Sequence, residues 1–116
     1  MRFKLLLVLV EDERLDAVLK AARHAGATGA TTITSARGEG LVPQKTFFGL
    51  DLASQRDIVL LVVEEHLSRS ILEAVAKAGC FDTEPGSGIA LQLPIEDAVG
   101  LESQIRFLSK QVEDRL

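Results

Sequence analysis

Two stretches of the chain decide the fold, because they repeat one pattern of residues. Residues 5–26 read LLLVLVEDERLDAVLKAARHAG, and residues 58–79 read IVLLVVEEHLSRSILEAVAKAG. They align without a gap, from Leu5 with Ile58 to Gly26 with Gly79. Each stretch is an apolar run followed by an acidic corner, an amphipathic segment and a glycine. The repeat predicts two copies of one structural unit.

Each unit is predicted to be a strand followed by a helix. The apolar runs 5–10 and 58–63 are too short for independent helices and rich in Val, Leu and Ile, which is typical of β-strands. The segments that follow them have the apolar spacing of amphipathic helices. The predicted buried stripes are Leu15, Val18, Leu19 and Ala22 in the first helix and Ile71, Leu72, Val75 and Ala76 in the second.

The predicted helix ends carry capping signals. Acidic residues 11–13 begin the first helix, where they favour the helix dipole, and Ser68 is the expected N-cap of the second. Gly26 and Gly79 are expected to end the helices in the left-handed conformation.

A further strand is predicted after each glycine, at Thr31–Arg37 and at Gly88–Pro94. The order β-α-β, β-α-β is the ferredoxin-like pattern, an α/β (α+β) fold with an antiparallel sheet and both helices on one face. The repeated strands are nevertheless apolar on both faces, which indicates burial on both sides. Another copy of the chain could cover the second face, and so could a C-terminal helix with the stripe Leu101, Ile105, Leu108 and Val112. We expect an oligomer, with residues 1–100 as the domain and 101–116 as an extra helix.

Composition excludes several classes of protein. The chain has 116 residues, 47% hydrophobic and 26% charged, which fits one folded domain and excludes disorder. No apolar run approaches the ~20 residues of a membrane helix, and Cys80 is the only cysteine, so we expect a cytoplasmic protein without membrane insertion. The net charge of −4 divides into +1 for residues 1–58 and −5 for residues 59–116, and neither half has the basic stripe of a nucleic-acid binder. No catalytic or metal-ligand motif is present in the sequence, so we expect neither an enzyme nor a metal site.

Three further segments carry a family resemblance. The strand Thr31–Arg37 runs into Gly38-Glu39-Gly40 and a long loop, a turn reads Thr83-Glu84-Pro85-Gly86-Ser87-Gly88, and Leu93-Pro94-Ile95-Glu96-Asp97-Ala98 follows it. With the doubled β-α-β, these features resemble the PII signalling proteins, the nitrogen regulatory PII family, over residues 3 to about 99.

The resemblance implies a homotrimer that binds adenine nucleotides in clefts between its subunits. Its long central loop, the T-loop (about residues 38–54), would dock on a target such as a membrane transporter or a metabolic enzyme. Carried over by residue, Thr32 would approach the adenine, and the nucleotide would be contacted by Gly38, Glu39, Gly40, Gly86, Ser87 and Gly88. Arg37 could supply replacement charge for the ligand, or it could be a surface charge at the end of the strand. The T-loop residues Lys45, Phe47 and Phe48 would contact the partner protein, although Phe47 and Phe48 could equally fold back onto the subunit boundary.

The sequence departs from the family at the positions that hold phosphate. Ile89 stands where the family has a lysine, Gly100 and Glu102 where it has arginines, and Val42 where it has the glutamine that senses 2-oxoglutarate and magnesium. Since cations supply most of the attraction for a triphosphate, ATP binding should be weakened, and ADP, AMP or a small anion becomes the expected ligand. The alternatives are an interaction module of the same fold that binds no nucleotide, and a small enzyme or metal-handling trimer of related fold.

Overall fold

The chain folds as two β-α-β units, in the order expected from the repeat. The computed structural model describes residues 2–36, 46–47, 50–51, 56–101, 103 and 106–107. In chain order the elements are β1 (Phe3–Glu11), a 3-10 turn (Asp12–Arg14), α1 (Leu15–His24), β2 (Thr31–Ala36), β3 (Thr46–Phe47), β4 (Leu50–Asp51), β5 (Arg56–Glu64), α2 (Glu65–Gly79) and β6 (Gly88–Pro94).

The four long strands form one antiparallel sheet in the order β2-β5-β1-β6. The two repeated strands, β1 and β5, are its central neighbours, with Leu6 opposite Leu61 and Leu7 opposite Leu60. The short strands β3 and β4 pair with each other in a separate ribbon. This order and orientation confirm the ferredoxin-like fold.

The hydrophobic core lies between the sheet and the two helices, which cover the same face. Every second residue of the central strands is buried there, because successive side chains of a strand point to opposite faces. The strand side of the core is Leu6, Val8, Val10, Val59, Leu61 and Val63, and the helix side includes Val18, Ala22, Ile71 and Val75. The two helical stripes are therefore confirmed.

The other face of the sheet, which we call the open face, is also apolar. The register places three aligned rows of aliphatic residues on it, together with Ile33 of β2. The rows are Leu5, Val62 and Leu93, then Leu7, Leu60 and Leu91, then Leu9, Ile58 and Ile89. Ile33, Val62, Leu91 and Leu93 remain 39–48% exposed. The prediction that the strands are apolar on both faces is confirmed.

The start of α2 differs from the prediction. The helix begins at Glu65, and its N-cap is Glu64, which makes no capping bond with its side chain. The Glu65 N–H instead donates to the carbonyl of Arg2, at 2.8 Å. Ser68 lies inside the first turn, where its hydroxyl donates to the Glu65 carbonyl at 2.9 Å. The Ser68 N-cap prediction is wrong because the neighbouring N-terminal segment of the chain caps the helix.

The two helices also end differently. Gly26 follows α1 with φ at +120°, as predicted. Gly79 is still helical, and Cys80 adopts the left-handed conformation in its place, with φ at +58°. A side chain at residue 79 would overlap the Phe81 ring, so packing rather than chain reversal explains this glycine.

The C-terminal segment lies mostly outside the described residues. Of the predicted helix 101–116, residues 103, 106 and 107 are helical in the structure. Across the described ranges, no helix combines the length and the apolar character needed to cross a membrane.

Candidate functional site

The end of the sheet where β1 finishes gathers the segments that the sequence analysis singled out. In the register, Arg56 lies beside both Glu11 and Ala36, and Gly88 lies beside Val10. Three features therefore meet at this end of the sheet. They are Ala36, the last described residue before the central loop, Arg56, the first described residue of β5 after it, and Gly88, the end of the glycine turn.

Two of the predicted ligand contacts lie on opposite edges of that sheet. Thr32 is a half-buried residue of the edge strand β2, and Gly88 begins the other edge strand, β6. Three strand spacings separate these edges, which is roughly 14 Å. Gly100 lies at the far end of the sheet, beside a groove of about 760 Å³ that Arg2 and Lys4 also line. One chain therefore does not bring all the predicted positions together.

The glycine turn, residues 80–88, is held by hydrogen bonds of its own. The Cys80 carbonyl accepts from the backbone N–H groups of Thr83, at 3.3 Å, and Glu84, at 3.0 Å. Ser87 is 1% exposed, and its hydroxyl lies 2.8 Å from both the Cys80 and the Glu84 carbonyl oxygens. Its N–H donates to the Glu84 carbonyl at 3.2 Å. Ser87 therefore stabilises the turn from the inside.

Gly88 has a packing requirement independent of any ligand. A Cβ atom on this residue would lie 2.5 Å from the carbonyl oxygen of Leu9 and would overlap the Phe81 ring. Since the Leu9 carbonyl belongs to the central strand β1, it is not free to move aside. A glycine here lets β6 approach β1 where the turn meets the sheet.

A row of contacting charged side chains crosses this end of the sheet. Arg14 donates to the Gly79 carbonyl at 3.2 Å and forms an ion pair with Glu84. Its Nε lies 3.8 Å from Glu11 Oε2, and Glu11 Oε1 lies 3.3 Å from Arg56 Nη1. A hydrogen bond from Arg14 to the Cys80 side chain, with the nearby Glu84 and Glu11 carboxylates, raises the pKa of the guanidinium.

Asp57 is a buried carboxylate next to this row of charged side chains. It is 1% exposed, and its Oδ1 accepts the Ser35 N–H at 3.3 Å. Burial raises the pKa of Asp57, the neighbouring Asp12 carboxyl raises it further, and the Ser35 N–H opposes both effects. Oδ2 has no hydrogen-bond donor among the described residues. Both effects, burial and the Asp12 carboxyl, favour the protonated form of the Asp57 carboxyl.

A shallow groove of about 730 Å³ runs along α2 beside the start of β6. Gly88, Ile89 and Phe81 line it on the sheet side, and Arg69 and Lys77 line it on the helix side. Arg69 Nε lies 2.9 Å from Glu73 Oε1. Glu73 and Asp82 line the groove as well, so it carries both positive and negative charges. Among the described residues, no group of three or more His, Cys, Asp or Glu side chains is arranged to hold a metal ion.

The remaining predicted site residues fall in two groups. Arg37, Gly38, Glu39, Gly40, Lys45 and Phe48 lie outside the described residues, as do Val42 and Glu102. Phe47 is part of the short strand β3, and Gly86 lies in the glycine turn with φ at +79°.

Sequence reasoning missed the contacting charged residues Glu84, Arg14, Glu11 and Arg56, and the buried Asp57 beside them. The sequence analysis assigned Glu11 and Asp12 to the start of the first helix. That assignment is compatible with the contacts that these residues make with the residues after the loop. One signal was available for Asp57, because the positions that share its face of β5 are Val59, Leu61 and Val63. A carboxylate in register with a buried aliphatic row indicates a polar partner nearby.

The fold and this site thus define a class of protein. It is a ferredoxin-like domain in which the ends of a long loop and a glycine turn meet at one end of the sheet. The sequence matches the model of the family described as Nitrogen regulatory protein P-II over residues 3–104. The chain therefore belongs to the nitrogen regulatory protein P-II family. Proteins of this family are signalling regulators, typically trimers that bind target proteins. No curated protein gives a significant match to the chain.

Two solved structures of the CPII protein from Thiomonas intermedia K12 are similar in fold. The first, bound to ADP, AMP and acetate, has a TM-score of 0.65 and 20% identity, covering 83% of this chain and 88% of that one. The second is the apo form, described as a nitrogen regulatory PII-like protein, with a TM-score of 0.64 and 19% identity. It covers 82% of this chain and 90% of its own. At these identities the likeness concerns the fold.

Proposed function

We propose that this chain is a cytoplasmic regulator that assembles as a homotrimer and senses a small ligand in clefts between its subunits. The ligand is an adenine nucleotide, foremost ADP or AMP, or a small anion. Its occupancy changes the T-loop, residues 38–54, which then binds a target protein such as a membrane transporter or a metabolic enzyme. We propose no catalytic step.

The observation that carries this proposal is the meeting of the two loop ends and the glycine turn at one end of the sheet. A ligand bound at that end lies next to both ends of the loop. It would therefore bias the loop conformation if it bound one loop state better than the other. The adenine nucleotides and acetate of the CPII structure support the ligand class.

The position of the predicted contacts supports a cleft between chains. Thr32 and Gly88 lie on opposite edges of one sheet, and Gly100 lies at its other end. Packing of subunits around a symmetry axis would bring the β2 edge of one chain toward a different segment of the next. The apolar open face supports the same assembly, because neighbouring exposed aliphatic residues on one face are typical of an interface.

The proposed contacts follow the residues. Thr32 lies at the adenine, and the segment Arg37, Gly38, Glu39 and Gly40 lies at the phosphates together with Gly86, Ser87 and Gly88. Ser87 contributes by shaping the turn, since its hydroxyl bonds inside it. Ile89, Gly100 and Glu102 supply no positive charge, so ATP should bind more weakly than ADP or AMP. Lys45, Phe47 and Phe48 are the proposed partner contacts.

The test is a calorimetric titration of the purified protein with ADP, AMP, ATP, acetate and 2-oxoglutarate, with thermal unfolding in parallel. A ligand at 100 times its dissociation constant should add about 2.7 kcal/mol to stability. Arg37→Ala should weaken nucleotide binding about tenfold, because it removes one charge-assisted contact of roughly 1.4 kcal/mol or more. Arg23→Ala removes an exposed arginine from the last turn of α1, outside the proposed contacts, and should leave binding unchanged. Absence of binding by every nucleotide and anion would refute the sensor.

A second function, an interaction module that binds no nucleotide, is favoured by one observation. The fold itself explains Ser87 and Gly88, since the first stabilises the turn and the second makes room for Leu9 and Phe81. A turn with these structural roles needs no ligand to account for its sequence. The titration separates the two functions, because only the sensor gains stability from a nucleotide.

A further inference from the structure

Three ion pairs and a backbone hydrogen bond connect the glycine turn to the start of β5. At the turn, Arg14 holds the Glu84 carboxylate. Arg14 Nε also lies 3.8 Å from Glu11 Oε2. The other oxygen of the same carboxylate, Oε1, lies 3.3 Å from Arg56 Nη1. Glu11 therefore joins two arginines that belong to different parts of the chain.

The backbone strengthens the same connection. The Glu11 N–H donates to the Ser87 carbonyl at 3.4 Å, so the residue contacts the turn through its main chain as well as its side chain. Glu11 is also paired with Arg56 in the register of β1 and β5. Glu11 is thus in contact with both the glycine turn and the first residue of β5.

The two ends of this path differ in burial, and Arg56 at the loop end is the most buried of its members. The Glu84 side chain is 56% exposed, those of Arg14 and Glu11 are 26% and 32% exposed, and that of Arg56 is 4% exposed. Solvent and salt screen a buried pair less than an exposed one. The Glu11–Arg56 contact should therefore respond to a change in charge at the turn more than a surface pair would.

We propose that Glu11 is a coupling residue that transmits changes at the glycine turn, residues 80–88, to the start of β5 at Arg56 and Asp57. An anion that binds at the turn and attracts Arg14 leaves Glu11 paired with Arg56 alone. This changes how firmly the first residues after the loop are held. The regulatory meaning of the coupling rests on the proposed function, whereas the coupling itself needs no ligand.

The test measures amide hydrogen exchange at residues 56–58 of the full-length protein at low salt. Glu84→Gln removes a charge at the exposed end of the path, without altering residues near the reporting amides. We expect exchange at residues 56–58 to increase about fivefold, the lower end of typical coupling between sites. In a Glu11→Gln background, the same Glu84→Gln change should have less than half of that effect.

A matched control removes an equal charge from a pair that is not part of the path. Glu73→Gln breaks the exposed Arg69–Glu73 pair on α2 and should leave exchange at residues 56–58 unchanged. If Glu11→Gln does not fold, Arg14→Lys provides the second background, because it keeps Glu11 and Arg56 and removes the guanidinium that contacts Gly79, Glu84 and Glu11 at once. The coupling is refuted if Glu84→Gln has no effect in the wild type, or the same effect with and without Glu11 and Arg14. Since no nucleotide is present, failure of the ligand titration would leave this result standing.

Discussion

The substitution Leu91→Glu tests whether the open face of the sheet is a subunit interface. Leu91 lies between Leu7 on the neighbouring strand and solvent, and it is 40% exposed in the single chain. Covering that fraction in an assembly would contribute about 0.6–1.2 kcal/mol, since full burial of a leucine contributes about 1.5–3 kcal/mol. Four residues of this face are exposed to a similar extent, so their covering contributes about 2.5–5 kcal/mol per chain.

A glutamate at residue 91 removes this contribution locally and adds the cost of desolvating a carboxylate, which is several kcal/mol per ion in a buried interface. Symmetry repeats the cost in every subunit. A loss of about 3 kcal/mol per chain weakens association more than 100-fold for each chain. In the free subunit the carboxylate reaches water, so the monomer fold should be retained.

The assay is the mass of the protein in solution, measured by sedimentation equilibrium over a wide range of concentrations, with circular dichroism to report the fold. We expect a trimer for the wild type and folded monomers for Leu91→Glu. The control is Gln92→Glu, the next residue of the same strand, which is exposed and points to the opposite side. A wild type that is monomeric throughout, or a Leu91→Glu variant that assembles like the wild type, would refute the interface.

Two further predictions concern stability, measured by chemical unfolding. Because burial and Asp12 raise the pKa of Asp57 in the folded state, its contribution to stability is present at acidic pH and is lost as the pH rises through that pKa. Asp57→Asn should remove this part of the pH dependence and raise the unfolding free energy at mildly alkaline pH by about 1–2 kcal/mol. An unchanged dependence of the unfolding free energy on pH would contradict this explanation. Gly88→Ala should destabilise the fold by about 1–3 kcal/mol, because its Cβ meets the Leu9 carbonyl, whereas Gly29→Ala, with no atom within 4 Å of the new Cβ, should change stability by less than ~0.5 kcal/mol. Equal effects of the two alanines would show that packing does not explain Gly88.

The repeated units could be predicted from the sequence because their signals are local. A run of branched aliphatic residues and a stripe at helical spacing need no knowledge of distant contacts. The structure extends the predicted strands 5–10 and 58–63 by one or two residues at each end. The added residues include Lys4 and Arg56, whose side chains are charged but whose backbones still pair in the sheet.

The errors arose where a distant segment takes the place of a local signal. Ser68 has the chemistry of an N-cap, yet the Arg2 carbonyl accepts from the first N–H of α2 and the helix starts at Glu65. Gly79 has the chemistry of a helix stop, yet the Phe81 ring occupies the space beside it and Cys80 makes the reversal. Neither partner is visible in the periodicity of the helix.

The candidate site shows the same division between local and distant information. The glycine turn was found from its composition, but its neighbours Glu11 and Arg14 are more than 60 residues away in sequence and are brought to it by the sheet order. Charged residues between a strand and a helix are also typical of a helix start. Composition alone therefore does not indicate their contacts with the glycine turn. The strand register shows the contact, because it places Glu11 beside Arg56. Glu11 thus lies between the glycine turn and the start of β5, the two segments that the proposed regulation has to connect. The loss of the phosphate-binding cations at Ile89, Gly100 and Glu102 therefore does not by itself remove a regulatory function. The path from the turn to the start of β5 depends on Glu11, Arg14 and Arg56, which are all present.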